Sequence, residues 1–487
     1  MTTSWANFGV DLHLELAGQR TAGGRRVRVG LETALRDAVR SGRLSPGTRL
    51  PPSRDLAADL GIARNTVAEA YAQLVAEGWC TARTGAGTWV ASRPEVASRP
   101  AVVLAEPLPA PPEPGRPPRF DLRAGSPAVT LFPRAQWLSA ARAALQAAPD
   151  LLLDYGDPRG LPELRTALAG YLARARGVIT SPDRIVICSG FAHGLALIAW
   201  VLARRGAAMI AVEDYSRLAH RQLIEARGLS AEPLPVDDVG AVPVPSVLER
   251  ASAIALTPAH QFPLGVTLAP ARRAAFTHWA VGTGGLLIED DYDGEFRYDR
   301  QPTGALQALA PEHVIYAGTA SKSLAPGLRL GWLAAPAGIT EELVAAKSGF
   351  GAENGILDQL TLARLITSGG YDRQIRQARL VYRRRRDQLI AALGRHVPDV
   401  RLTGIAAGLH AVATLPDGCA EGDAVAQAAV HGVAIDRLAN YAAAGHRLGP
   451  ALVIGYSRPA EHAYTTAVTR LCAALAEIRG RGGDPAG

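Results

Sequence analysis

The chain carries 52 basic residues, and only Lys322 and Lys347 among them are lysine rather than arginine. Lys322 lies in GTASKSLAPGLRLGW (318–332), among small hydroxyl residues and directly after an apolar run. A guanidinium stays protonated near neutral pH and is a poor nucleophile, whereas an amine can shed its proton and condense with an aldehyde. In a chain that uses arginine almost everywhere, this amine is a candidate for covalent chemistry. Lys347 has no such surroundings and reads as a surface lysine. Two more polar clusters sit at the ends of apolar runs, Ser189-Gly190-Phe191 and Asp290-Asp291-Tyr292.

The elements that must position these groups are short apolar runs: RIVIC (184–188), AAMIAV (207–212), AIALT (253–257), GLLIED (285–290), HVIYAG (313–318) and LRLGWLAA (328–335). Segments long enough for helices separate them, the pattern of a mainly parallel sheet covered on both faces. In such sheets ligands gather at the carboxyl ends of strands, where the polar clusters fall.

Residues 92–119 hold nine prolines in 28 residues, which disfavours helix and sheet and reads as an extended linker. It divides residues 20–91 from a larger region, 120–480, whose last part from about 395 reads as a small α+β subdomain. In the first region Leu31, Ala34, Leu35, Ala38 and Val39 repeat at helical spacing up to Gly42. Ser53 then reads as the N-cap of a helix bearing Leu56 and Leu60; Gly61 turns the chain; Val67, Tyr71 and Leu74 face inward on a further helix. Two strand-like arms flank Thr84-Gly85-Ala86-Gly87, the shape of a wing.

At 487 residues and 48% hydrophobic, the chain can bury more than one core. No apolar stretch reaches the roughly 18 to 20 residues that span a bilayer, and Asp11 and Glu15 interrupt any signal-peptide core, so a soluble, cytoplasmic protein is expected. Cys80, Cys188, Cys419 and Cys472 lack metal-site spacing, and no metal is expected. A net charge of +7 permits nucleic-acid binding without demonstrating it.

GRLSPGTRLPPSRDLAADLGIARNTVAEAYAQLVAEGW (42–79) followed by TGAGTWV (84–90) resembles the winged helix-turn-helix of GntR-type bacterial regulators. The resemblance implies that Arg64, Asn65 and Thr66, opening the second helix of the pair, enter the major groove of double-stranded DNA, with Arg54, Gly85 and Gly87 near its backbone. Ala63 departs from the serine usual in the family and forfeits a helix cap.

SKSLAPGLRLGW, EDDYDGEF, TPAHQFPLGVTL and DYGDPRGLPELR resemble fold type I aminotransferases, which use pyridoxal 5′-phosphate, and most closely the MocR group, in which a GntR-type domain is fused to that fold. The resemblance implies an internal aldimine at Lys322, Asp290 against the pyridine nitrogen and Tyr292 on the ring's phenolic oxygen. It implies a phosphate held by Thr319, Ser321, Arg329 and the amides around Gly190, Phe191 and Ala192. Tyr155 would reach the phosphate of the other subunit of a head-to-tail homodimer. Where relatives place an aromatic that stacks on the cofactor, this chain reads EDYSRLAHR. Either Tyr215 swings in, or Arg217 lays its guanidinium on the ring, or the stack is lost. His260 and Gln261 fall where relatives line the cofactor edge, and Arg437 and Arg458 are candidates to grip an effector carboxylate. The run Arg383–Arg386 reads as the solvated face of a long helix.

Together these features point to a transcription regulator whose larger domain senses pyridoxal phosphate, or an amine or amino acid reacting with it, with control of vitamin B6 or amine metabolism as the implied setting. A working aminotransferase with an added DNA-binding domain is the alternative.

Overall fold

A computed structural model describes residues 24–83, 86–91, 118–298, 303–445 and 448–482. They fall into two units, divided between residues 113 and 114. The proline-rich stretch 92–117 lies outside the described residues.

The first unit has helices α1 (Gly24–Arg40), α2 (Ser53–Leu60) and α3 (Arg64–Ala76), then strands β1 (Cys80–Arg83) and β2 (Gly87–Val90). Leu31 and Leu35 of α1, Leu56 of α2, Val67, Tyr71 and Leu74 of α3, and Val90 form one apolar core. The Tyr71 hydroxyl donates to the Pro51 carbonyl at 3.0 Å, anchoring α3 to the chain that enters α2. Gly61 ends α2 in the left-handed conformation (φ 66°), and its amide returns to the last carbonyls of the helix. The hairpin is antiparallel, with Cys80 opposite Val90 and Arg83 opposite Gly87. Ser53 does not cap α2: Pro52 holds that position with extended backbone, and Ser53 is the first helical residue. Proline here fixes the chain's entry angle through its ring rather than through a side-chain hydrogen bond.

The second unit is built on seven strands, β3 (Ile185–Cys188), β4 (Met209–Glu213), β5 (Ser230–Leu234), β6 (Ala253–Leu256), β7 (Leu286–Asp290), β8 (Val314–Thr319) and β9 (Gly331–Ala334). Their order is β3-β9-β8-β7-β6-β4-β5. Only β9 runs antiparallel, paired with β8 on one side and β3 on the other. The central strands β4, β8 and β9 are buried along their whole length, as continuous apolar runs require when helices cover both faces. The edge strand β5, SAEPL, was not legible as a strand, because it is half exposed and contains Pro233.

A smaller antiparallel sheet follows, from Arg401–Thr403, His410–Thr414, Asp436–Arg437 and Ala451–Gly455, between the long helices Gly370–His396 and Glu461–Gly482. One sequence expectation fails here, and a second holds at Arg383 and Arg384 but not at Arg385. Lys347 is not on the surface but 1% exposed, with its ammonium donating to the Pro158 carbonyl at 2.7 Å. In the run Arg383–Arg386, Arg385 is likewise 1% exposed; it donates to the Ser457 carbonyl at 2.6 Å and pairs with Glu461 at 3.0 Å. Helical periodicity turns one member of any four-residue run inward, and here that member serves as a clamp between the two long helices. Among the described residues no helix is long and apolar enough to cross a membrane.

Ala63 holds the N-cap of α3 in extended conformation (φ −67°, ψ 137°), with no side chain to accept from the first turn. Ala63→Ser is therefore expected to stabilise α3 by about 0.5 to 1 kcal/mol, read as slower amide exchange across residues 64–76 in the full chain.

Candidate functional site

The carboxyl ends of β3, β4, β7 and β8 open onto a cavity of about 330 Å³. Its walls bring together Lys322, Asp290, Tyr292, Gly190, Phe191, Ala192, Thr319, Ser321, Arg329 and Arg217. Residues from four separate segments of sequence thus meet at one place.

Each segment has a local reason to bend there. β8 ends at Thr319, whose hydroxyl accepts from the Ser321 amide at 3.1 Å and starts the helical turn Ala320–Ser323 that carries Lys322. β3 leads through Gly190, at φ 102°, into the helix Phe191–Arg204. A side chain at Gly190 would be strained by that φ, and a Cβ on the adjacent Gly331 would come within 2.7 Å of the Gly190 backbone. The first amides of that helix have no intrahelical acceptor and face the cavity with the positive end of the helix dipole. Asn354 ties the two loops together, donating to the Ser189 hydroxyl at 3.1 Å and to the Arg329 carbonyl at 3.2 Å. Thr319 and Ser321 hydroxyls, Arg329 and these amides make a cradle for a phosphate-sized anion.

In the same cavity Asp290 is half-buried, and its buried Oδ1 has no hydrogen-bond partner. Burial drives its carboxyl well above the usual range, against the pull of the Lys322 charge. Its neighbour Asp291 is fully engaged instead, bonded by Arg176 at 2.6 Å and by the Tyr316 hydroxyl at 2.7 Å. The Tyr292 hydroxyl lies 3.0 Å from His260 Nδ1, which in turn lies 2.9 Å from Asp293 Oδ2. Lys322 donates to the Gly125 carbonyl. Burial, aided by the nearby Arg217 charge, pushes its ammonium down to about 8, while Asp290 and Asp293 pull the other way.

Several residues singled out in the sequence lie elsewhere. The Tyr215 ring is buried away from the cavity and its hydroxyl accepts from the Leu448 amide at 2.6 Å, whereas Arg217 lines the cavity. His260 and Gln261 are buried and do not line it; Gln261 donates to the carbonyls of Tyr215 and Phe262, both at 2.8 Å, and Thr257 and Phe262 are the members of this segment that face the cavity. Arg437 is exposed on an edge strand, and Arg458 pairs with Asp121 at 3.1 Å. Tyr155 is 93% exposed. Gly125, His220 and Phe262 line the cavity without having been foreseen, since a lone glycine or aromatic carries no positional signal until the fold is known. Burial, with the charges of Arg217 and Lys322, lowers the His220 imidazole to about 3, so it is neutral near pH 7.

In the first unit Arg64 and Asn65 open α3 and are exposed, Thr66 is half-buried, Arg54 is exposed on α2 and Gly87 is exposed on the hairpin. Gly85 lies outside the described residues. Trp89 of the hairpin lies between the guanidinium groups of Arg49 and Arg83, 5.6 and 5.3 Å from its ring. Among the described residues no cluster of metal-ligating side chains is present.

The depressed Lys322 ammonium has a direct consequence. Reductive alkylation of Lys322 in the ligand-free protein is expected to speed up as pH rises and to level off above about 8, as followed by peptide mapping. A midpoint near the ordinary lysine value of about 10.4 would show that the amine is not buried in solution.

Residues 28–90 match the family described as bacterial regulatory proteins, gntR family, and residues 129–440 match aminotransferase class I and II. The chain is 33% identical over 382 residues to the HTH-type pyridoxine biosynthesis transcriptional regulator PdxR of Corynebacterium glutamicum, covering 78% of this chain and 82% of that protein. It is 31% identical over 382 residues to the probable rhizopine catabolism regulatory protein MocR of Rhizobium meliloti, covering 75% and 76%. The kynurenine aminotransferase of Pyrococcus horikoshii, solved in complex with PMP, superposes with a TM-score of 0.66 at 26% identity, over 74% of this chain and 91% of that one. With a gntR-type winged helix-turn-helix followed by an aminotransferase class I and II body, the chain belongs to the MocR group of GntR-family transcription regulators.

Proposed function

We propose that the protein is a cytoplasmic DNA-binding regulator that holds pyridoxal 5′-phosphate on Lys322 and senses either that cofactor or an amine or amino acid that reacts with it. The observation that carries this reading is the pairing of a half-buried amine of lowered basicity with a buried, unpartnered Asp290 oxygen in one cavity. That pairing fits the group: the free oxygen can accept from a protonated ring nitrogen, and the opposite wall can take a phosphate. Bound there, the cofactor supplies an aldehyde that condenses with amines and a ring that withdraws electrons.

In this reading the lowered basicity of Lys322 makes a deprotonated Nζ accessible near neutral pH, and the free Asp290 oxygen would hold a proton at the ring nitrogen. Tyr292 bonds the phenolic oxygen. Thr319, Ser321, Arg329 and the amides of Gly190, Phe191 and Ala192 neutralise the phosphate, joined across a head-to-tail homodimer by Tyr155 of the partner subunit. Arg64, Asn65 and Thr66 read base edges in the major groove while Arg54 and Gly87 approach phosphates. An effector alters DNA binding only if its affinity differs between two arrangements of the protein, so occupancy of the Lys322 site must favour one of them. Similarity to a pyridoxine biosynthesis transcriptional regulator supports control of vitamin B6 metabolism as the setting. An active aminotransferase is the second reading, favoured by the kynurenine aminotransferase likeness and the intact lysine-aspartate pair.

Borohydride treatment of the cofactor-loaded protein is expected to leave a pyridoxyl group on Lys322, and Lys322→Ala is expected to lose both this adduct and any cofactor-dependent change in DNA affinity. Sustained turnover of an amino acid with an oxo acid would instead favour the enzyme. On DNA selected from a random pool, Arg64→Ala is expected to weaken binding by about 1 to 3 kcal/mol and to relax preference at one base position, measured by gel shift.

A further inference from the structure

The cavity contains two arginines, and the phosphate cradle accounts for one. Arg329 belongs to the loop that Asn354 pins to Ser189, beside Thr319 and Ser321. Arg217 comes from the loop after β4, lines the same cavity, and its side chain forms no ion pair or hydrogen bond among the described residues. The two nearby carboxylates do not claim it. Glu213 is buried and bonded by Thr257 and Gln261, and Asp290 keeps an oxygen without any partner.

The surroundings of Arg217 are shaped to keep its fork in place. The guanidinium carbon lies 4.7 Å from the centre of the Phe262 ring, whose face supports it. On the other side lies Gly125, where a Cβ would come within 1.9 Å of Nη2 and where φ is +97°. The same glycine's carbonyl accepts from Lys322, so both cations meet the chain at one residue that cannot carry a side chain. The side chains first considered for carboxylate recognition are committed or remote: Arg458 is paired with Asp121, and Arg437 is exposed on an edge strand.

We infer that Arg217 is the carboxylate grip of this site, and that the effector is a small molecule carrying a primary amine for the Lys322 position and a carboxylate for Arg217. The inference rests on the cofactor site proposed above and narrows its ligand from amines in general to amino acids. A bidentate guanidinium-carboxylate pair in a partly dehydrated cavity gives both strength and orientation, and it selects against amines that lack the acid. Two fixed cationic forks then match two anionic groups, one on the cofactor and one on the effector.

The test uses the cofactor-loaded full chain and reads the visible absorbance of the bound cofactor. Glycine, 3-aminopropanoate and 4-aminobutanoate are titrated, each beside the amine in which a methyl group replaces the carboxylate. The wild type is expected to respond to at least one acid at a concentration about 10- to 100-fold below its methyl counterpart, the range of one charge-assisted hydrogen-bonded pair. Arg217→Gln is expected to bring the two curves together, and Arg217→Lys, which keeps charge but not the fork, to restore part of the preference. A wild type without preference for any acid, or an Arg217→Gln protein that keeps the preference, overturns the inference. If Arg217 acts only by stacking on the cofactor, acid and amine weaken equally, which overturns it as well. Failure of the underlying site shows differently, as wild-type protein with no cofactor absorbance before any titration.

Discussion

Keeping an amine and a carboxylate out of water, close to one another yet not bonded to one another, is the constraint around which the larger unit is organised. Either group alone in such a place is costly, and burial moves each toward its neutral form. The sheet bears that cost: β7 and β8 are adjacent and parallel, buried up to Asp290 in β7 and throughout β8, and release Asp290 and Lys322 at the same end. The apolar faces that make those strands stable are also what strips water from the residues at their ends. Fold and reactivity share one cause here.

The two units show different degrees of dependence on context. In the winged helix the core residues repeat at helical spacing, and the polar residues of α2 and α3 left outside it are exposed or half-buried. Their positions follow from the local helical pattern. In the larger unit no single segment carries the site: the cradle draws on the ends of β3 and β8, the carboxylate on β7, the arginine on β4 and the covering glycine on a loop some two hundred residues before Lys322. Such a site exists only after long-range pairing is complete.

This difference governs what could be seen in the sequence. The apolar runs that became β3, β4, β6, β7, β8 and β9 were legible because burial on both faces leaves no polar interruption, and β5 was not, because its exposed edge and Pro233 erase the pattern. Lys322 stood out through its chemical contrast with arginine. Lys347 misled for the same reason: type and neighbours along the chain do not reveal that Pro158, remote in sequence, supplies an acceptor. Arg385 was lost in a charge run because its partners Ser457 and Glu461 come from the end of the chain. The Tyr215 and Arg217 choice was open for want of the third dimension. The Tyr215 hydroxyl is held by the Leu448 amide, and Arg217 is the residue of that segment pair that lines the cavity.

Asp290 and Asp291 are chemically identical neighbours with opposite surroundings, one facing the cavity without a partner and the other clamped by Arg176 and Tyr316. Successive side chains at a strand end point to opposite sides, so a slip of one residue would carry Asp291 to the cavity and Tyr292 to the place beside Arg176. The cavity would then receive the aspartate whose charge is meant for Arg176, and Arg176 would face a neutral phenol in place of its carboxylate. A misaligned chain is thereby penalised on the structural side at the same moment as it loses its chemistry. The arginine clamp acts as a proofreading device for the register on which the reactive carboxylate depends.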